Sequence, residues 1–219
     1  VQVLQALSAR REALDARGLH RVHALGFAWR GQGGLILLPS GGGKTTLALE
    51  LSRLPGFSVL ADDTPLLAPD LTLRAFPLRL AFRPDADLSG VPADALRPFR
   101  RLDYGDKRLL DAEFLGRPPD SAPLRWLLLG RPGRDPWFEP AGKSETLRAL
   151  ALHLVLGWGV PQMAEFRLRP LALPGLARDA ASRAWRALRA LQAGQARRFS
   201  LGGQPRLAAE ALRRFVMDA

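Results

Sequence analysis

The sequence predicts an α/β fold, a single domain with a mixed sheet spanning residues 1–219. Three observations carry that expectation. Short apolar runs with strand character, such as Leu35–Leu38 and Leu124–Leu129, alternate with longer stretches of helical period. A glycine cluster, Ser40-Gly41-Gly42-Gly43-Lys44-Thr45-Thr46, lies between one of those strands and a helical pattern with Leu47, Leu51 and Leu54 on one face. A further apolar run, Phe57–Ala61, ends in Asp62-Asp63, and ligands of open α/β sheets bind beyond the carboxyl ends of strands. A chain of 219 residues suffices for one substantial core, and no long linker marks a second domain.

Taken in order, Val1 to Arg17 reads as a helix with Leu4, Leu7 and Leu14 on one face and Gly18 as its stop, making 1–18 an N-terminal helix. Strands follow at 20–29 and 34–38, separated by the hairpin signal Gly31-Gln32-Gly33-Gly34. The glycine loop, its helix and the Asp-Asp strand complete a motif-bearing core over 19–66. Thr64 to Phe82 reads as short strands punctuated by Pro65, Pro69 and Pro77. Residues 83–122 are rich in proline and charge, with a short helix expected near 92–97 and a hairpin turn around Lys107. Leu124–Leu129 is a core strand. Helices are expected at 143–156, with Ser144 as N-cap, and at 175–193 and 205–217. Arg197–Leu201 is an expected edge strand. Gly157–Pro161 is read as a break after a helix, with Trp158 packed in the core.

The glycine loop has the chemistry of a phosphate cradle. Backbone N–H groups from Ser40 through Thr46 converge on phosphate oxygens, and the helix N-terminus adds a favourable dipole. Lys44 supplies a mobile positive charge for the β- and γ-phosphates, and the Thr45 hydroxyl is a Mg²⁺ ligand. The loop departs from G-x-x-x-x-G-K-[ST] at Leu38, which stands where that pattern has glycine, and Pro39 has no N–H to give. The lead-in must therefore be a conformation that leucine tolerates. The acid pair can divide the work: Asp62 holds Mg²⁺ with Thr45, and Asp63 accepts a proton from an attacking hydroxyl. Adjacent acids also repel, which raises the pKa of one of them.

These residues resemble the bacterial HPr kinase/phosphorylase group and its smaller HPr-kinase-like relatives, whose fold is related to that of phosphoenolpyruvate carboxykinase. The likeness covers about residues 19–66. His23 lies 21 positions before Lys44 in a strand-like segment, Ser40–Thr45 is similar to the family's Ser-Gly-x-Gly-Lys-Ser, and Leu60-Ala61-Asp62-Asp63 is similar to its strand end. Read alone, His23 is a packed strand histidine. The resemblance implies that it supports catalysis beside the phosphates, and that Asp62 and Asp63 are catalytic. Arg131-Pro132-Gly133-Arg134 resembles an arginine-bearing loop of the family, which would make Arg131 and Arg134 the residues that neutralise developing charge. The family's large N-terminal domain is not represented here, so the likeness does not carry HPr over as the acceptor.

Composition narrows the partners. No apolar run reaches the length of a membrane helix and there is no signal-peptide pattern, so a cytoplasmic location with no membrane partner is expected. The chain starts at Val1 rather than methionine, which leaves room for a preceding segment. With 0 cysteines there are no disulfides or thiolate metal sites. The net charge is +11, and most of the excess lies between Phe166 and Ala219, in a basic helical C-terminal part over 175–219. A solvated helix face is the favoured reading. Aromatics are not interleaved with these arginines, so nucleic acid is not expected as a partner. Lysine occurs only at 44, 107 and 143, and Lys143 lacks the surrounding glycines of a second phosphate loop. The reading is an ATP- and Mg²⁺-dependent kinase acting on a hydroxyl, taken to be a serine of a peptide or protein. The alternatives are an ATPase switch and an inactive nucleotide- or peptide-binding adaptor. A homo-oligomer is left open.

Overall fold

The computed structural model describes residues 13–100, 105–156 and 173–219. The expected helix at 1–17 therefore lies mostly outside the described residues, with helical turns seen at 13–16. The break at 157–161 with Trp158, and the start of the basic stretch at Phe166, also lie outside them.

The architecture is mixed α/β with a mixed sheet. Its centre is three parallel strands: β3 (Gln32–Leu37), β10 (Ser121–Arg131) and β12 (Gln195–Leu201). On one side β2 (Leu25–Trp29) pairs antiparallel with β3, and β4 (Phe57–Ala61) pairs antiparallel with β2. On the other side β11 (Pro136–Pro140) pairs antiparallel with β12. The first residues of β10 instead pair with β6 (Thr72–Arg74), which continues through β5 (Leu66–Leu67) to β1 (His20–Arg21). A second sheet of 3 strands orders β7 (Leu80–Phe82), β9 (Lys107–Leu110) and β8 (Leu96–Phe99).

Apolar side chains alternate across this sheet. Phe27, Ile36, Trp126, Leu128 and Phe199 face a layer built with α1 (Lys44–Ser52), α4 (Pro205–Asp218) and the small sheet. Leu35, Leu37, Leu60 and Leu127 face a layer built with α2 (Lys143–Leu150) and α3 (Leu173–Ala193). A sheet covered on both faces explains the near-continuous apolar runs of its central strands.

Particular residues shape these elements. The β2–β3 connection is Arg30-Gly31, with φ of 46° and 81°. Positive φ at both positions is the type I′ geometry that suits strand twist. Gly33 and Gly34 lie inside β3 rather than in the turn. A Cβ on Gly34 would sit 2.2 Å from Cζ of Phe27, whose ring crosses it and stacks 6.0 Å from Trp126.

Several expectations change. The segment expected as one strand at 20–29 is broken at Val22–Ala24, where main-chain groups bond away from the ladder to Pro65 and His153. The helix near 92–97 is only a 3-10 turn at Ala93–Ala95, followed directly by β8. The expected helix at 143–156 is α-helical to Leu150 and a π turn over Ala151–Leu156. Its N-cap is Gly142 rather than Ser144, and Thr146 bonds back to the Gly142 carbonyl at 2.9 Å. Residues 197–201 are not at an edge, because β11 covers that side of β12. Nor is the basic face of α3 wholly solvated. Arg183 and Arg186 are buried, at 4% and 7% exposure, and Arg183 bonds Asp15 at 2.5 Å and the Leu154 carbonyl at 2.9 Å.

Candidate functional site

Strand direction gathers the site. β3, β4, β10 and β12 all run the same way, with β2 reversed between β3 and β4. The carboxyl ends of these strands thus carry the glycine loop after β3, the acid pair after β4 and Arg131 at the end of β10, and His23 lies at the same end just before β2.

The loop is held from below. Leu38 is fully buried in a conformation without positive φ, and it packs onto Gly130, where a Cβ would come within 2.4 Å of Leu38 Cγ. A leucine at the position where the consensus has glycine is accommodated by a glycine on the neighbouring strand. Gly41 and Gly43 take φ of 77° and 90°, which L side chains rarely adopt. Gly42 N–H bonds the Pro39 carbonyl at 3.1 Å, so this expected phosphate donor is engaged within the loop. Ser40 is exposed, and Thr46 bonds the Gly43 carbonyl at 3.2 Å.

Lys44 is buried and folded inward. Its Nζ donates to the carbonyls of Leu38 and Pro39 at 2.9 and 3.1 Å and lies 3.0 Å from His23 Nε2. Burial lowers its pKa, against the opposing charges of Asp63 and Asp62. His23 Nε2 is also 3.0 Å from Asp63 Oδ1, and Lys44 Nζ is 3.6 Å from that same oxygen. One imidazole nitrogen cannot accept from the ammonium and donate to the carboxylate together. The three side chains therefore hold two alternative proton arrangements.

The two aspartates are set apart by their surroundings. Asp62 Oδ2 accepts from the Thr45 hydroxyl at 2.8 Å, while its Oδ1 is buried with no hydrogen-bond partner. Burial pushes its pKa up to about 6; the Thr45 bond and Lys44 oppose the shift and Asp63 adds to it. Asp63 is open to solvent at 59% side-chain exposure. Its desolvation would raise its pKa, but the bond and charge of His23 together with Lys44 hold it below the usual carboxylate range. A shallow depression with a cavity volume of only about 10 Å³ lies beside Asp62, walled by Val59, Pro77, Leu78, Leu115 and Pro118.

No protein-family model and no curated protein matches the chain. The site stands on its geometry.

Of the residues singled out in sequence, the structure brings together His23, Lys44, Thr45, Asp62 and Asp63. Arg131 reaches the same end of the strands, but its guanidinium is paired with Glu145 of α2, which also takes Arg198 at 3.1 Å. Arg134 is exposed on the β10–β11 turn and engages through its carbonyl with Gly203 N–H at 3.2 Å. Neither arginine bonds Lys44, Asp62 or Asp63. Among the described residues no three His, Asp, Glu or Cys side chains form a ready-made metal cluster. Thr45 and the unpartnered Asp62 oxygen offer two oxygen donors, a set that would suit an ion arriving with phosphate oxygens and water.

Sequence reasoning missed His153. It is 6% exposed on the π turn, and its ring lies 5.4 Å from that of His23. A π turn inside a helix often marks a functional site, but nothing in the residue types of 151–156 announces one. No helix among the described residues is long and apolar enough to cross a membrane.

Proposed function

We propose that the protein is an HPr-kinase-like, ATP- and Mg²⁺-dependent kinase that transfers a phosphoryl group to a serine hydroxyl of a peptide or protein. The carrying observation is that Lys44, the Thr45–Asp62 pair and the His23–Asp63 pair meet at one end of the strands, with one aspartate half-buried and one open.

The residues suit the implied ligand. Gly41 and Gly43 leave the loop without side chains where backbone N–H groups would meet phosphates, and the free Asp62 oxygen suits a cation. Bound Mg²⁺–ATP supplies the phosphoryl group and a concentrated positive charge. Thr45 and Asp62 would hold the metal, and Lys44 would leave the Leu38 and Pro39 carbonyls for the phosphates. His23 Nε2 is then released to donate to Asp63 and fix its orientation. Asp63, exposed and ionised, takes the proton of the acceptor hydroxyl. The acceptor oxygen bonds to the γ-phosphorus as the bond from that phosphorus to the ADP oxygen breaks. The open Asp63 carboxylate, with no enclosed cavity larger than about 10 Å³ beside Asp62, suits a flexible chain end better than an enclosed small molecule.

The test is calorimetry with Mg²⁺–ATP on wild type and Lys44→Ala, followed by mass spectrometry of ATP-treated peptide mixtures. Binding that is lost in Lys44→Ala, with a labelled serine, is the expected result. Equal affinity in the two proteins removes the loop from the site. Inorganic phosphate as the only product, dependent on Lys44 and both aspartates, favours an ATPase switch. Binding with no product of either kind favours an inactive adaptor.

A further inference from the structure

His23 stands outside any strand, between β1 and β2, yet it is buried at 7% exposure. Its main-chain groups therefore need partners that a ladder does not provide. A single residue supplies both. His23 N–H donates to the His153 carbonyl at 2.9 Å, and His153 Nδ1 lies 2.7 Å from the His23 carbonyl. A carbonyl only accepts, so His153 carries its proton on Nδ1. Any residue at 153 could offer the carbonyl. Only a side chain with a donor at the Nδ1 position can satisfy the His23 oxygen.

The π turn that presents His153 is pinned from its far side. The carbonyl of Leu154, the next residue, takes a bond from Arg183 Nη1 at 2.9 Å, and Arg183 Nη2 is fixed on buried Asp15 at 2.5 Å. His153 is thus gripped between the segment carrying His23 and the long helix α3. The His23 ring in turn must meet Lys44 and Asp63, both within bonding reach of one nitrogen.

We propose that His153 is a positioning residue: through its paired bonds to the main chain of His23 it aims the His23 imidazole at Lys44 and Asp63. This rests on the kinase reading for its consequence in turnover, and not for the brace itself. A misplacement of about 1 Å at a reacting centre costs on the order of a hundredfold.

The experiment compares His153→Leu, which removes the donor, with His153→Asn, whose side-chain N–H can take the place of Nδ1. Each is made with His23 intact and in His23→Ala. The first readout is ¹⁵N-histidine NMR of the nucleotide-free protein. His153 should show the Nδ1–H tautomer, and the His23 ring signals should move in His153→Leu and return towards wild type in His153→Asn. The second readout is turnover with Mg²⁺–ATP and acceptor peptide. His153→Leu should lower kcat about tenfold or more, with nucleotide affinity within about twofold, and His153→Asn should recover most of it. In His23→Ala, His153→Leu should add almost nothing, because the residue it aims is gone. Unmoved His23 signals, failure of Asn to rescue, or an equal loss in the His23→Ala background would each overturn the proposal. Moving, rescuable His23 signals in a protein with no Lys44-dependent turnover would leave the brace standing and reject the kinase reading.

Discussion

The molecule uses the same three kinds of side chain twice, with opposite results. At the carboxyl ends of the strands, His23 and Lys44 surround Asp63. Between β1 and α3, His20 and Arg183 surround Asp15, at 3.1 and 2.5 Å. In the second cluster His20 bonds Ser182 through its other nitrogen at 3.0 Å, and all three charged or ionisable partners are nearly inaccessible, at 1%, 3% and 5% side-chain exposure. In the first, Asp63 is open to water, and a single nitrogen of His23 is shared between a cation and an anion. Residue types alone do not distinguish the two clusters. The exposure of the carboxylate and the sharing of one ring nitrogen do.

Mirrored substitutions break this comparison most sharply. Asp63→Asn should cut turnover by about 10²–10⁴, the usual contribution of a general base, while its melting temperature stays close to wild type. Asp15→Asn should do the reverse. Removing one partner of a buried pair costs about 3–5 kcal/mol, and each kcal/mol moves Tm by about 2–4 °C in a chain of this size. Thermal melts and initial rates on the two variants decide it. A low-melting Asp63→Asn or a normally melting but inactive Asp15→Asn would exchange the roles assigned to the clusters.

The next test concerns what keeps the open cluster aimed. Leu38, whose carbonyl takes a bond from Lys44 at 2.9 Å, rests on Gly130 with no room for a methyl. Gly130→Ala should cost about 1–3 kcal/mol by overpacking and weaken nucleotide binding, since the strain falls on the lead-in to the loop. Chemical denaturation and calorimetry on the same preparations measure both. A stability loss with unchanged affinity would mean that the loop tolerates movement at Leu38.

The smallest effect is expected from Asp62. Burial lifts its pKa to about 6 from an ordinary 3.8, so between those values the folded protein keeps a proton that the unfolded chain releases. Stability contributed by the protonated acid is complete below the ordinary value and is lost as pH rises through about 6. With chelator present and no nucleotide, Asp62→Asn should therefore melt higher than wild type above that window, by about 2–4 °C for ~1 kcal/mol. The two should converge towards pH 4. A constant offset across the range would assign the difference to packing rather than ionisation.

What was legible in sequence follows from how far apart the cooperating residues lie. The loop and acid pair fall within a few dozen residues, and each sits at the end of an apolar strand, so pattern and spacing expose them. His23 is legible only relative to Lys44. His153 was not, because it is 130 positions from His23 and its side chain bonds a main-chain carbonyl there, which carries no residue signature. β11 was missed because it starts and ends in proline and is partly exposed, which hides strand alternation. The basic helix was misjudged because an arginine buried on an aspartate and a carbonyl reads, in sequence, like one in water.

The pairing order of the central strands also bears on how the chain assembles. Leu35 of β3 pairs with Leu127 of β10, and Leu127 pairs in turn with Ala196 of β12. The residues proposed for chemistry are all made early in synthesis, but the strands beside them arrive late. Long-range parallel pairing of this kind slows folding, because chain entropy is lost before the contacts that reward it exist. A growing or truncated chain that stops before Ser121 would carry β3 with one side unpaired, a template for association with other chains. The sheet that gathers the site thus makes the protein dependent on prompt synthesis of its second half, and chaperone demand should rise when translation pauses between β3 and β10.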